Sequence, residues 1–299
     1  MAEKRIQKWF PYIAIFLIVV AFLYLNHKID NLDLIKEEKI VMTNNFSEIV
    51  EKVKPAVVWI IAETELTNVP FMGGEYLVQD NKVVSSGTGF FVSEDGYILT
   101  AEHVVHEAKD KIIVSVFDGN NFKQYNATTI SIDNNADVAL IKVEGKNFQY
   151  LELAEKEELT DGMDIGFIGY PLEFRYPLTH KGVLSGRCLY KHTGKEESVN
   201  VFMINAFVNR GNSGGPLFSG VDGKVIGVIN ARANHIDERR FIKLPSDYSP
   251  IATFGGVDPI RLSVETYNEN LRYIGEVSQV GIGFSSSIDY GKGLLKAAR

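Results

Sequence analysis

A serine held in the run Gly211-Asn212-Ser213-Gly214-Gly215-Pro216-Leu217 constrains this chain more than any other stretch. Glycines on both sides let the backbone turn tightly, so the Ser213 hydroxyl can stand clear of its neighbours. The same turn lets the N–H groups of Gly211 and Ser213 aim at one point beside that hydroxyl. An exposed nucleophile next to converging amide donors is what acyl transfer needs, because the donors hold the oxyanion that forms. A glycine-rich stretch also occurs in plain linkers and tight turns, so the reading depends on what else the chain carries.

A nucleophilic serine needs a base, and the base needs a carboxylate to orient it. Histidines stand at positions 27, 103, 106, 180, 192 and 235. Only His103 follows a strand-like run, Gly96-Tyr97-Ile98-Leu99-Thr100, which leaves the Glu94-Asp95-Gly96 turn and continues into Ala101-Glu102-His103-Val104-Val105. His106, one helical turn later, reads as a surface residue. Asp137 opens the apolar run Val138-Ala139-Leu140-Ile141-Lys142-Val143 and so sits at the mouth of a strand. Asp133, at the head of Asp133-Asn134-Asn135, reads as a turn former. The order His103, Asp137, Ser213 is that of chymotrypsin-type enzymes and differs from those of subtilisins and α/β-hydrolases.

The serine run and the Thr100-Ala101-Glu102-His103-Val104 block resemble those of trypsin-like serine proteases. Further blocks resemble the HtrA (Deg) branch. They are Phe46 to Ile60, with Lys54-Pro55-Ala56-Val57-Val58; Ser86-Gly87-Thr88-Gly89-Phe90-Phe91-Val92; Asp161 to Pro171; Lys181 to Gly186; and Gly281-Ile282-Gly283-Phe284-Ser285. The match covers roughly residues 43–290, with a gap near 232–278.

The resemblance implies an all-β fold of two packed six-stranded antiparallel barrels, with His103 and Asp137 from the first and Ser213 from the second. It implies a serine endopeptidase working without metal or cofactor, with Gly211 and Ser213 as the oxyanion hole. Phe207, six residues before the serine, takes the position at the base of the primary pocket. Ile229, Asn230 and Ala231 would wall it, for small or medium apolar side chains. Asn212 stands where digestive relatives carry an Asp that pairs with a freshly cut N-terminus, so activation of that kind is not expected. The family also implies protein substrates, unfolded or close to the membrane, and a homotrimer to which Phe46 would contribute. A catalytically idle binding or chaperone protein on the same fold is the alternative. About ten residues follow the closing strand, which leaves no room there for the PDZ domain many relatives carry.

The rest of the chain fits one such domain and an anchor. Of its 299 residues 45% are apolar, enough for a full core, and a net charge of −7 gives no electrostatic case for nucleic acid. Cys188 is the single cysteine, so no intrachain disulfide can form. From Trp9 to Leu25 the chain is apolar and uncharged, at ~17 residues the lower edge of a membrane span. Lys4, Arg5 and Lys8 precede it, which places the N-terminus in the cytoplasm and the rest outside, periplasmic or extracellular. A cleaved signal peptide is the rival reading, but Ala21-Phe22-Leu23-Tyr24-Leu25 has no small-x-small site. The expected layout is a cytoplasmic end over 1–8, a membrane helix over 9–25, a tether over 26–42, the protease domain over 43–290 and a tail over 291–299. Within the gap, Asp258-Pro259 reads as a helix start. Ile260, Val264, Tyr267, Leu271 and Ile274 give it one apolar face, expected to pack on the second barrel or to form a lid beside the pocket.

Overall fold

The computed structural model describes residues 20–28, 46–65, 77–79, 82–106, 111–155, 159–191, 196–232, 240–277 and 281–299. The chain divides into two compact units, Met1–Glu48 and Ile49–Arg299. In the first, residues 20–28 are helical. Among the described residues no helix is long and apolar enough to cross a membrane. Residues 1–19, with most of the expected membrane segment, lie outside the described residues, as do residues 29–45 with most of the tether.

The second unit begins within helix α1 (residues 46–53), whose Ile49 and Val53 are buried, and continues into two barrels. The first is built from β1 (Val57–Glu65), β3 (Lys82–Phe91), β4 (Tyr97–Thr100), β5 (Lys111–Phe117), β6 (Phe122–Asp133) and β7 (Val138–Val143). These run in the order β1-β5-β6-β7-β4-β3 and close through β1 on β3, while the short β2 (Leu77–Gln79) adds to β3. The second is a closed barrel of β8 (Asp164–Gly169), β9 (Leu178–Tyr190), β10 (Val199–Asn205), β11 (Pro216–Ser219), β12 (Val225–Arg232) and β13 (Ile282–Ser287). Its order, β10-β13-β12-β11-β8-β9, makes every strand interior and leaves no edge.

Branched and aromatic residues fill both barrels. Val58, Ile60, Phe91, Ile98, Ile141 and Val143 pack inside the first, and Ile165, Phe167, Leu184, Ile204, Leu217 and Ile229 inside the second. β7 is buried along almost its whole length, because one face looks into the barrel and the other lies under helix α4 (Ile288–Ala298). Ser287 caps that helix by accepting from Asp289 N at 3.3 Å. Residues 291–299, expected from sequence to be a tail, are therefore mostly a helix that returns from the second barrel to cover the first.

The insertion lies between the paired strands β12 and β13, so its ends are held together as in a long hairpin. Helix α2 (Glu102–Val105) belongs to the site, and α3 (Pro259–Val277) is the expected insertion helix. Asp258 caps α3, with Oδ1 accepting from Ile260 N at 3.0 Å. Its apolar stripe is not sunk into a core: Ile260, Tyr267 and Ile274 are exposed, Val264 and Leu271 are half-buried, and no described side chain of α3 is fully buried. Its ties are internal to the insertion. Asn268 bonds both the N–H (2.9 Å) and the carbonyl (2.8 Å) of Ile242, and Tyr248 donates to Asp258 at 3.1 Å. Among the described residues, then, nothing seats the helix as a barrel cover or as a lid.

A half-buried histidine is expected to make the stability of the second barrel depend on pH. His180 of β9 stacks on Phe167 of β8, with centroids 4.4 Å apart at 9°. Its Nε2 is buried without a partner among the described residues, and burial lowers its pKa from the ordinary value of 6.5. Below 6.5 the unfolded chain takes up a proton that the folded one resists, so this contribution is intact above 6.5 and is lost as pH falls toward the folded pKa. His180→Gln removes the titration. Thermal melts from about pH 7.5 down to 5.5 should show wild type losing stability relative to the variant, and parallel curves would refute the assignment.

Candidate active site

The turn into β7 places the first residue of the site. Asp133 Oδ1 accepts from the N–H groups of Asn135 and Ala136, each at 3.0 Å, which folds the chain back on itself. Asp137 follows at φ 54, in the left-handed region where Asp is among the few tolerated residues. Asp137 is 8% exposed, and its carboxylate spends both oxygens on His103. Oδ1 accepts from the His103 backbone N–H at 2.9 Å, and Oδ2 lies 2.8 Å from His103 Nδ1. The first bond fixes the start of α2. The second requires the proton on Nδ1, which leaves Nε2 as the basic nitrogen.

Helix α2 is one turn long and is anchored by its apolar residues. Val104 and Val105 are buried in the first barrel while the His103 side chain is 40% exposed. Glu102, at 2% exposure, is bonded by Nδ1 of the half-exposed His106. His106 is at the surface, as its place one turn after His103 implies, and its bond to Glu102 follows from their spacing of four on a helix.

The serine loop is seated on the same segment. Ser213 O accepts from Thr88 N at 2.8 Å, and Gly214 N donates to Ile229 O at 2.6 Å. A Cβ on Gly214 would lie 2.0 Å from Thr88 O and 2.2 Å from Thr100 Oγ1, so only glycine fits against the strand end that leads into His103. Gly87 is wedged likewise between Val104 and Ser213 O. The structure thus brings His103, Asp137 and Ser213 to one place, where β3 and β4 of the first barrel meet the loop before β11.

Thr88 has a larger part than its place in a matching strand suggested. Its hydroxyl donates to Gly211 O at 2.5 Å and accepts from Tyr170 N at 3.0 Å, while its carbonyl accepts from Thr100 Oγ1 at 2.7 Å. Gly211, at φ 88, packs on the Tyr170 carbonyl, and Leu172 N donates to Arg210 O at 2.9 Å. Among the described residues neither the Gly211 nor the Ser213 N–H is used by a protein acceptor, so both remain available to a ligand. Asn212 is fully buried against Gly169, with both amide atoms unpartnered among the described residues.

The expected pocket residues are arranged differently. Phe207 is 58% exposed and lies against Gly281. Ile229 points into the core of the second barrel. Asn230 is buried, and its Nδ2 is committed to Ser286 and the Ala136 carbonyl. The reason is strand alternation: successive side chains of β12 leave on opposite faces, one into the barrel and one toward the first barrel. The side chain of Ala231 lies outside the described residues. A cavity of about 590 Å³ bounded by Ala154, Leu159, Arg187, Phe202 and Ile288 includes none of the site residues. Among the described residues no cluster of His, Cys, Asp or Glu could hold a metal.

Residues 87–228 match the family model described as "Trypsin-like peptidase domain". A "Probable periplasmic serine endoprotease DegP-like" from Halomonas elongata is 34% identical over 211 residues, covering 62% of this chain and 43% of that protein. "Serine protease HTRA1" from Xenopus laevis is 38% identical over 188 residues, covering 62% of this chain and 38% of that protein. The chain thus spans less than half the length of these curated relatives. Among solved structures, an HtrA-type protease AlgW with a decapeptide superposes with a TM-score of 0.58 at 21% identity, over 85% of this chain and 67% of that one. The active form of the Rv3671c protease from M. tuberculosis gives 0.57 at 22%, over 86% and 85%. At those identities the structural likeness shows the fold.

Proposed function

We propose that the HtrA/DegP-type trypsin-like serine protease domain of this chain hydrolyses peptide bonds in protein substrates through His103, Asp137 and Ser213. The observation that carries the reading is the pair of hydrogen bonds from His103 to Asp137 next to a serine loop seated on the same strand end. His103 Nε2 takes the proton of Ser213 as Oγ attacks the carbonyl carbon. The N–H groups of Gly211 and Ser213 hold the oxygen that becomes negative. Collapse of the tetrahedral intermediate breaks the C–N bond, and the imidazolium, stabilised by Asp137, gives its proton to the leaving amine. Water then attacks the acyl ester by the reverse proton route, releasing the acid and Ser213.

Periplasmic DegP-like relatives support a domain working outside the cytoplasm. The apolar run from Trp9 to Leu25 supports a single-pass anchor with a cytoplasmic N-terminus. Substrates are unfolded or membrane-proximal chains, and the assembly is a homotrimer, both by likeness to the family. No carboxylate stands at position 207, which supports cleavage after apolar residues.

The test is labelling of the chain with a fluorophosphonate, which reacts rapidly only with an activated serine. Wild type should label at Ser213 and cleave peptides, and Ser213→Ala should do neither while keeping its fold. A wild type that binds unfolded protein but neither labels nor cleaves would favour the idle chaperone. A peptide library cut mainly after Lys or Arg would overturn the apolar preference.

A further inference from the structure

The run Ser285-Ser286-Ser287 at the end of β13 sends three like hydroxyls to three destinations. Ser285 Oγ bonds within its own strand, to Ser286 O at 3.2 Å, and Ser287 caps α4. Only Ser286 crosses to the first barrel, where its hydroxyl donates to Ala136 O at 2.5 Å, 150 residues away in sequence. Asn230 of β12 orients it, donating from Nδ2 to Ser286 Oγ at 2.7 Å and lying 3.5 Å from the same carbonyl. Ser286 and Ala136 are fully buried and Asn230 nearly so.

The carbonyl they hold belongs to the peptide that leads into Asp137. That peptide plane is one of the two that define φ at Asp137, so a bond to its oxygen acts directly on the left-handed dihedral of 54. The bond to Ser286 thereby sets the direction in which the carboxylate leaves the backbone. The N–H of Ala136 is held from the other side by Asp133 Oδ1. Asn135 Oδ1 adds a second tie to the opposite barrel by accepting from Glu196 and Glu197 N–H at 3.2 and 3.4 Å. The arrangement is kept at a cost, since Asn230 Oδ1 is buried with no partner among the described residues. Apolar side chains could fill the same space without that cost, but they could not hold the carbonyl.

We propose that Ser286, oriented by Asn230, is a positioning residue for the site: it clamps the Ala136–Asp137 peptide across the two barrels and so keeps the carboxylate on His103. The proposal rests on the protease reading above.

The experiment compares the full chain with Ser286→Ala by two measures. One is kcat and KM on a peptide substrate. The other is the far-downfield proton resonance of His103 Nδ1–H in its bond to Asp137, assigned by its loss in His103→Ala. The variant should lose about 10- to 100-fold in kcat with KM little changed, and the resonance should move upfield or broaden by exchange. Ser286→Thr and Ser286→Val carry equal bulk, so Thr should retain more activity than Val through its hydroxyl alone. If Ser286→Ala melts below the assay temperature, Ser286→Cys, a weaker donor of similar size, is read by the same two measures. Unchanged kcat and resonance, or equal Thr and Val variants, would overturn the clamp. A wild type that neither cleaves nor labels defeats the protease reading instead, and the resonance then still decides the clamp.

Discussion

Replacing Asp137 with Asn is expected to lower kcat by about 10⁴, with KM and melting temperature close to those of wild type. The size of the loss follows from which atoms the amide can offer. Its oxygen can still accept from the His103 N–H, so the start of α2 keeps its anchor. Its NH₂ then faces Nδ1, which must become the acceptor, and the ring proton moves to Nε2. In that tautomer His103 cannot take the proton of Ser213. Steady-state kinetics on one peptide, normalised to folded protein by circular dichroism, reads the effect. An Asn variant within tenfold of wild type would remove Asp137 from the proposed role.

The largest loss of stability is expected from Gly214→Ala. Two effects add: the left-handed φ of 86, and a Cβ driven to 2.0 Å from the Thr88 carbonyl and 2.2 Å from Thr100 Oγ1. The first costs about 1–2 kcal/mol and the second about 1–3, a large part of the stability of an ordinary domain. Gly162 supplies the control. Its φ is 87, but no atom lies within 4 Å of where its Cβ would stand. Gly162→Ala should therefore lose only the dihedral part. Urea unfolding of the two variants separates crowding from strain, and equal midpoints would show that the serine loop yields at Gly214.

The residues that converge on the site were legible because each is announced locally. Ser213 lies in a glycine turn, His103 after a strand and Asp137 before one, and short-range signals of that kind survive in a bare sequence. The helix of the insertion was legible for the same reason, through Asp258-Pro259 and an apolar spacing of four and three. Its destination was not, because an amphipathic stripe says that one face is apolar and nothing of what covers it. Ile229 and Asn230 are adjacent in sequence and equally plausible there as pocket walls. Only the pairing of β12 with β11 and β13 decides which of them enters the barrel and which reaches Ala136. Nothing local distinguishes Ser286 from the serines beside it, since its partner lies 150 residues earlier. The helical fate of residues 288–298 was lost where the family blocks stopped.

The strand that closes the second barrel is also its last, and this orders events during synthesis. β13 bonds to β10 on one side and β12 on the other, and the whole insertion precedes it. A chain growing from its N-terminus presents His103, Asp137 and Ser213 while that barrel still lacks its sixth strand. The serine loop then rests on an open sheet, with β10 and β12 as bare edges and Ala136 without its donor from Ser286. Domains built this way assemble only once their final element arrives. The nascent polypeptide therefore holds all three side chains of the proposed site well before the barrel that carries the serine loop can close.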